Sequence, residues 1–296
     1  MSAAPVDPRD FPDPFVLEAG GAYFAFATNA GPTNVQVMSS TDLVSWQAEP
    51  DALPTVAAWA VRGFTWAPSV LARPGGYVLF YTVREPQAGR QAISVATASA
   101  PGGPYIDASA GPLVYQLSMG GSIDPSPFVD VDGTAYLLWK ADANALDQPS
   151  SLWIQPLSAD GLAPAGAPTR LLGYDAAWEE PLIEAPSLVH DGGTYYLFYS
   201  ANWWNTERYS IGYATSTTVL GPYTKATTRG PWFASDDAVA GPGGQEWFTD
   251  PSGQLRMAYH GWEPAQVGYP GGARRLRLAS VGFSGGAPVA SGSGGR

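Results

Sequence analysis

A chain of 296 residues with 45% apolar residues can bury a large core, which excludes global disorder. The formal charge of −11, with only 15 Lys and Arg, argues against nucleic acid, anionic membranes and phosphorylated substrates, and suits a neutral polar ligand such as a sugar. With no cysteine and only His190 and His260, disulfides, a thiolate nucleophile and Cys-ligated zinc are excluded, and a multi-histidine metal site is unexpected.

The N-terminal stretch MSAAPVDPRDFPDP has no basic segment leading into an apolar one, so no signal peptide is expected in this chain. That leaves the localisation open: cytoplasmic, or secreted with the leader absent here. Residues 1–9 read as an N-terminal extension. Five similar units then follow, each with a proline opening a strand, a Gly-containing turn and an aromatic-rich second strand. The opening prolines are Pro14, Pro68, Pro125, Pro186 and Pro242, spaced by 54, 57, 61 and 56 residues.

The first hairpin is VLEAGGAYFAFAT from Val16, with VQVMSS at Val35 as a third strand. The second is VLARPGGYVLFYT from Val70, followed by ISVATA at Ile93. The third is VDVDGTAYLLWKA from Val129, followed by LWIQPL at Leu152. The fourth is VHDGGTYYLFYSA from Val189, with SIGYATS at Ser210, and the fifth is FTDPSGQLRMAYHG from Phe248, with RLRLASV at Arg275. Runs such as YVLFYT are apolar on both faces, as a sheet sandwiched between two others requires. The expected fold is all-β: a single-domain five-bladed β-propeller over residues 10–284. Residues 285–296 are Gly/Ser-rich and expected to form a flexible tail.

Three unit openings carry acids: Asp13 in DPFV, Asp124 in IDPSPFV and Glu184 in IEAPSLV. Taken as equivalent places in the repeat, they should converge at one end of the ring, Asp13 opposite Glu184 and Asp124 beside it. Opposed carboxyl groups suit glycoside hydrolysis, one protonating the leaving oxygen and the other activating water or attacking carbon. A third acid beside the donor raises the donor's pKa. As single residues, each of the three could equally be a turn or cap acid.

DPFV at Asp13, WAPSV at Trp66, IDPSPFVD at Ile123 and EAPSLV at Glu184 resemble, in order and spacing, the motif series of glycoside hydrolase family 43. The resemblance spans about Asp10 to Phe283. It implies a propeller that hydrolyses furanosides and xylosides with inversion, with Asp13 as general base, Glu184 as general acid and Asp124 tuning and orienting that acid. Trp66, taken as the blade-two counterpart of Asp13, resembles the family's aromatic residue against the sugar. Phe64, Trp178, Trp203, Trp204 and Trp262 are rim candidates, because aromatic faces suit the C–H surface of sugar rings. In ARRLRLASV, Arg274 best matches the arginine that reaches the catalytic site, and Arg275 lies one position off.

His260 in MAYHGW resembles a channel histidine that in parts of the family helps hold a water-bound calcium or similar ion. No cofactor is expected for the chemistry. Many members carry a histidine after GPG, where this chain has Gly244, which puts a metal-dependent endo-acting site in doubt. The expected partner is an arabinose- or xylose-containing oligo- or polysaccharide, with no nucleic acid or membrane, and the chain is expected to be a monomer. The resemblance favours an α-L-arabinofuranosidase releasing terminal units. β-Xylosidase and endo-arabinanase stay open, as does a non-catalytic carbohydrate-binding propeller. A related phosphorylase would need a basic cluster that the sequence does not display.

Overall fold

The computed structural model describes residues 4–291, and its regular secondary structure is almost wholly antiparallel strand. Blade I comprises β1 (Phe15–Ala19), β2 (Ala22–Ala27), β3 (Gln36–Ser40) and β4 (Gln47–Ala48). Blade II has three strands, β5 (Val61–Arg73), β6 (Gly76–Glu85) and β7 (Arg90–Ala98). Blade III comprises β8 (Ser122–Val129), β9 (Ala135–Ala141), β10 (Ser151–Pro156) and β11 (Thr169–Gly173). Blade IV comprises β12 (Ile183–Asp191), β13 (Thr194–Ala201), β14 (Ser210–Ser216) and β15 (Thr224–Lys225). Blade V comprises β16 (Ala240–Thr249), β17 (Leu255–Trp262), β18 (Arg275–Ser284) and β19 (Ala287–Ser291).

Each blade is a meander in sequence order, built from one continuous stretch of chain. The first strands touch in the order β1, β5, β8, β12, β16, and β16 touches β1. The five sheets therefore close into a β-propeller, as the repeat predicts. The ring is sealed by residues 6–11 lying along blade V. Val6 N–H donates to Leu276 O at 3.0 Å and Phe11 N–H to Arg274 O at 2.7 Å.

A separate apolar cluster fills each junction between neighbouring blades. The second strand of each blade supplies two of them, because successive side chains point to opposite faces. Thus Leu79 packs towards blade I and Phe80 towards blade III. Leu137 and Leu138, Leu197 and Phe198, Met257 and Ala258, and Ala25 and Phe26 divide in the same way. This explains why the second strands read as unbroken apolar runs rather than alternating ones.

Two boundaries differ from the sequence reading. β19 occupies part of the stretch assigned to a flexible tail, because Gly285 and Gly286, at φ 59° and 78°, form a hairpin turn that returns the chain onto β18. Residues 292–296 of that tail lie outside the described residues. In blade V, the position matching Pro14 is taken by Gln245, not Pro242, which lies within the first of the two register shifts of β16, between Ala240 and Gly243.

The true repeat marker is a left-handed residue within, or two residues before, every inner strand. Asp13, Ala67, Asp124, Ala185 and Gly244 have φ of 54°, 42°, 57°, 48° and 60°. Four precede a proline and the fifth precedes Gln245. This conformation is costly for residues with a Cβ, so surrounding contacts must hold it. It breaks the ladder, seen as the register shift between Ile123 and Ser126 and between Glu184 and Ser187. All five residues line a narrow cavity on the propeller axis.

Candidate active site

The left-handed residues are held by hydrogen bonds between blades. The N–H of Ala67 is accepted by Thr28 Oγ1 at 3.0 Å, and that of Asp124 by Thr82 Oγ1 at 3.2 Å. The N–H of Gly244 is accepted by Ser200 Oγ at 2.9 Å, and that of Asp13 by His260 Nδ1 at 3.0 Å. Each acceptor stands at the same place, on or just beyond the second strand of the preceding blade. In blade III that place is Lys140, which has no acceptor. There the N–H of Ala185 turns to Asp124 Oδ2 at 2.9 Å.

This geometry corrects the sequence-derived register. Asp13 and Asp124 are equivalent, but Glu184 stands one residue earlier, and Ala185 fills the matching place in blade IV. Trp66 is therefore the counterpart of Glu184, and Ala67 that of Asp13. The upstream residues Pro12, Trp66, Ile123 and Glu184 line a pocket of about 530 Å³ above the axial cavity. Asp13 and Asp124 border both the pocket and the cavity beneath it. Thus all three predicted acids meet in one pocket, although by two structural positions rather than one.

Each acid has distinct partners. Asp13 Oδ2 accepts from Thr28 Oγ1 at 2.7 Å, while Oδ1 has longer approaches, at 3.4 Å each, to Arg274 Nη1 and His260 Nδ1. Glu184 Oε1 accepts from Tyr209 Oη at 2.9 Å and Oε2 from Lys140 Nζ at 2.8 Å. Burial, and then the charge of Glu184, push the Asp124 carboxyl well above the usual range. Burial and the three carboxylates keep Tyr209 protonated. The Tyr209 ring stacks on His260 at 5.7 Å and 8°, linking the partners of Glu184 and Asp13. Gly243 permits this, since a Cβ there would fall 2.2 Å from Tyr209.

The sequence profile of glycosyl hydrolases family 43 matches residues 2–288. The chain belongs to that family. An arabinoxylan arabinofuranohydrolase of Bacillus subtilis is 31% identical over 64% of this chain, which covers 41% of that protein. A β-D-galactofuranosidase of Aspergillus niger is 26% identical over 86% of this chain and 75% of its own length. The crystal structure of a thermostable family-43 glycoside hydrolase superposes with a TM-score of 0.88 at 28% identity, covering 99% of this chain and 96% of that one.

The other predicted site residues of this family-43 glycoside hydrolase divide into those that line the pocket and those that do not. Phe64, Trp66, Trp203, Trp204 and Arg274 line it. The Arg84 guanidinium lies 3.7 Å over the Phe64 ring. Arg274 is buried against Trp204, 4.4 Å from its centroid, whereas Arg275 and Arg277 pair with Glu263. Trp178 lies outside the pocket, in a neighbouring groove of about 690 Å³ that shares Trp203 with it. Trp262 is fully buried behind Trp204 and donates its indole N–H to Trp204 O at 3.1 Å, so it is no rim residue.

His260 is fully buried, and burial together with Arg274 holds its pKa well below the usual value. Its 3.4 Å approach to Asp13 Oδ1 is therefore not an ion pair. Because Nδ1 accepts the Asp13 N–H, the ring proton sits on Nε2, leaving no lone pair for a metal in this arrangement. No group of three or more His, Asp or Glu suited to a metal occurs among the described residues. The residues present thus do not fit a His260-ligated ion. Nor would a side chain fit at Gly244, whose Cβ would fall 2.7 Å from His260 Nδ1 and 3.2 Å from Asp13 Oδ1.

Lys140, Tyr209, Thr28 and Asp142 escaped the sequence reading. Lys140 left a signal, a lone cation inside the apolar run AYLLWKA; Tyr209 left none.

The raised carboxyl of Asp124 has a stability consequence. A group whose folded pKa exceeds its unfolded value stabilises the fold below the unfolded pKa, and loses that contribution as pH rises through the folded one. Asp124→Asn should therefore raise Tm at neutral pH by about 2–4 °C, the shift that roughly 1 kcal/mol produces in a large domain. The gain should vanish towards pH 3, while activity falls at all pH values. Paired thermal melts at pH 3, 5 and 7 check this, and a Tm difference that does not grow with pH would contradict it.

Proposed function

We propose that the chain is an inverting glycoside hydrolase that releases terminal α-L-arabinofuranosyl units from arabinan or arabinose-substituted polysaccharides. The observation that carries this reading is the pairing of Asp13 and Glu184 in one pocket, from blades that are not neighbours in the ring order. Asp13 is the general base: Thr28 fixes Oδ2 and leaves Oδ1 able to accept a proton from water. Glu184 is the general acid, and Asp124, bonded to the next residue's N–H, orients it. Water attacks the anomeric carbon from the face opposite the departing oxygen, which Glu184 protonates, so the configuration inverts.

The aromatic walls suit a sugar, and Arg274, kept charged and held against Trp204, supplies donors to hydroxyl groups. The furanoside preference draws on the relatives named for arabinofuranoside and galactofuranoside hydrolysis. The groove sharing Trp203 is flanked by Trp178, Glu180 and Arg208, on the side of the segments that carry and contact Glu184. Since the leaving group departs towards the acid, this groove suits the remainder of a polymeric substrate. Lys140 and Arg274 are both paired with carboxylates, which disfavours a phosphate site.

Aryl α-L-arabinofuranosides, aryl β-xylosides and linear arabinan, assayed together, test the reading. Single arabinose released from the first and third supports it. Turnover of xylosides alone, long products from arabinan, or binding without turnover would each replace it. Trp203, 45% exposed, borders both cavities. Trp203→Ala should raise KM about three- to tenfold with little change in kcat, because stacking holds ground and transition states alike. Steady-state kinetics on arabino-oligosaccharides measure this; a fall in kcat with unchanged KM would refute it.

A further inference from the structure

Four of the five equivalent second-strand residues, Thr28, Thr82, Ser200 and His260, serve the scaffold by accepting a backbone N–H from the next blade. A threonine or serine would do the same in blade III. Lys140 stands there instead, with 1% of its side chain exposed, and Asp124 takes over the N–H of Ala185. A buried ammonium is costly unless paired. Lys140 Nζ is paired twice, at 2.8 Å to Glu184 Oε2 and 3.1 Å to Asp142 Oδ1. The break in the ring's symmetry thus places a cation against the proposed proton donor, where the scaffold needed only a hydroxyl.

An ammonium donates and never accepts, so Glu184 Oε2 is committed as an acceptor. Tyr209 Oη, the partner of Oε1, can rotate and accept as readily as it donates. We infer that Lys140 is a positioning residue for Glu184, confining the transferable proton to Oε1 and stabilising the carboxylate that the transfer leaves behind. This rests on the reading of Glu184 as general acid. In the step, the bond from the anomeric carbon to the leaving oxygen breaks as that oxygen takes the proton from Oε1. The resulting negative charge on Glu184 develops beside Lys140.

The other charged or titratable groups facing Glu184 are Asp124, Asp142, Tyr209, Asp13 and Arg274. Asp124 and Asp13 favour the protonated acid, and Lys140 opposes them. Removing the cation weakens the acid while keeping the carboxyl. Lys140→Met should move the alkaline limb of the kcat/KM profile up by about one pH unit or more. It should also slow substrates with poor phenol leaving groups ten- to hundredfold, while a 2,4-dinitrophenyl arabinofuranoside, which needs no proton, changes less than threefold.

Because Lys140→Met leaves Asp142 unpaired, the double variant Lys140→Met with Asp142→Asn is measured beside it, with thermal melts of both. In whichever variant folds, the moved limb and the leaving-group dependence support the proposal. A loss equal for all leaving groups with the limb unmoved overturns it and leaves Lys140 structural. Glu184→Gln is the control. If it shows no leaving-group dependence, the general-acid reading fails; if it does and the lysine variants do not, only the Lys140 proposal fails.

Discussion

Asp13→Ala should lower kcat/KM on aryl arabinofuranosides by about 10²–10⁴, the usual contribution of a positioned base. The loss should be the same for good and poor leaving groups, because the missing group acts on water. The fold should survive. Asp13 keeps its left-handed conformation through its backbone N–H to His260, and alanine already occupies the matching places at Ala67 and Ala185. Circular dichroism and substrate binding should therefore match wild type. A loss confined to poor leaving groups would assign Asp13 to the acid's role.

Glu184→Gln should show the complementary pattern. Glutamine keeps the size of the side chain and an oxygen to accept from Lys140 or Tyr209, but carries no transferable proton. Substrates with leaving groups near the basicity of a sugar hydroxyl should lose about 10²–10⁴ in kcat/KM, whereas dinitrophenyl substrates should stay close to wild type. The alkaline limb of the pH profile should also disappear. A uniform loss across leaving groups would show that Glu184 shapes the pocket without donating a proton.

Much of this protein was legible in the sequence because its repeat leaves marks at two scales. The hairpin units carry Gly turns and apolar second strands, and their number gave the ring. The acids stood out against neutral residues in the same motifs, and they do share one pocket. The acids differ in register by a single residue, and the prolines already mark it: Asp13 and Asp124 directly precede Pro14 and Pro125, where the left-handed residue lies, whereas Glu184 stands two before Pro186. In blade IV the left-handed residue is Ala185, with the acid just upstream, and in blade V it is Gly244, with no proline following. Aligned on the prolines, Trp66 falls with Glu184 and not with Asp13, as the structure has it.

The parts that stayed hidden depend on what loops and neighbouring blades bring together. Tyr209 sits in a connection whose sequence, NTERYS, shows no periodicity, yet it joins Glu184 to His260. Trp178 and Trp203 look alike as exposed-loop tryptophans, but only Trp203 reaches the pocket. Lys140 was visible as a lysine in a core strand, a placement that requires a buried partner; its partner could be named only once blades III and IV were placed side by side.

The most direct test of the central claim, a base and an acid on opposite sides of one sugar, is the stereochemistry of the first product. Proton NMR of an aryl α-L-arabinofuranoside, followed from the moment enzyme is added, should show β-L-arabinofuranose first, with the other anomers growing in only by mutarotation. If the α anomer appears first, the reaction proceeds with retention, and the roles assigned to Asp13 and Glu184 are wrong.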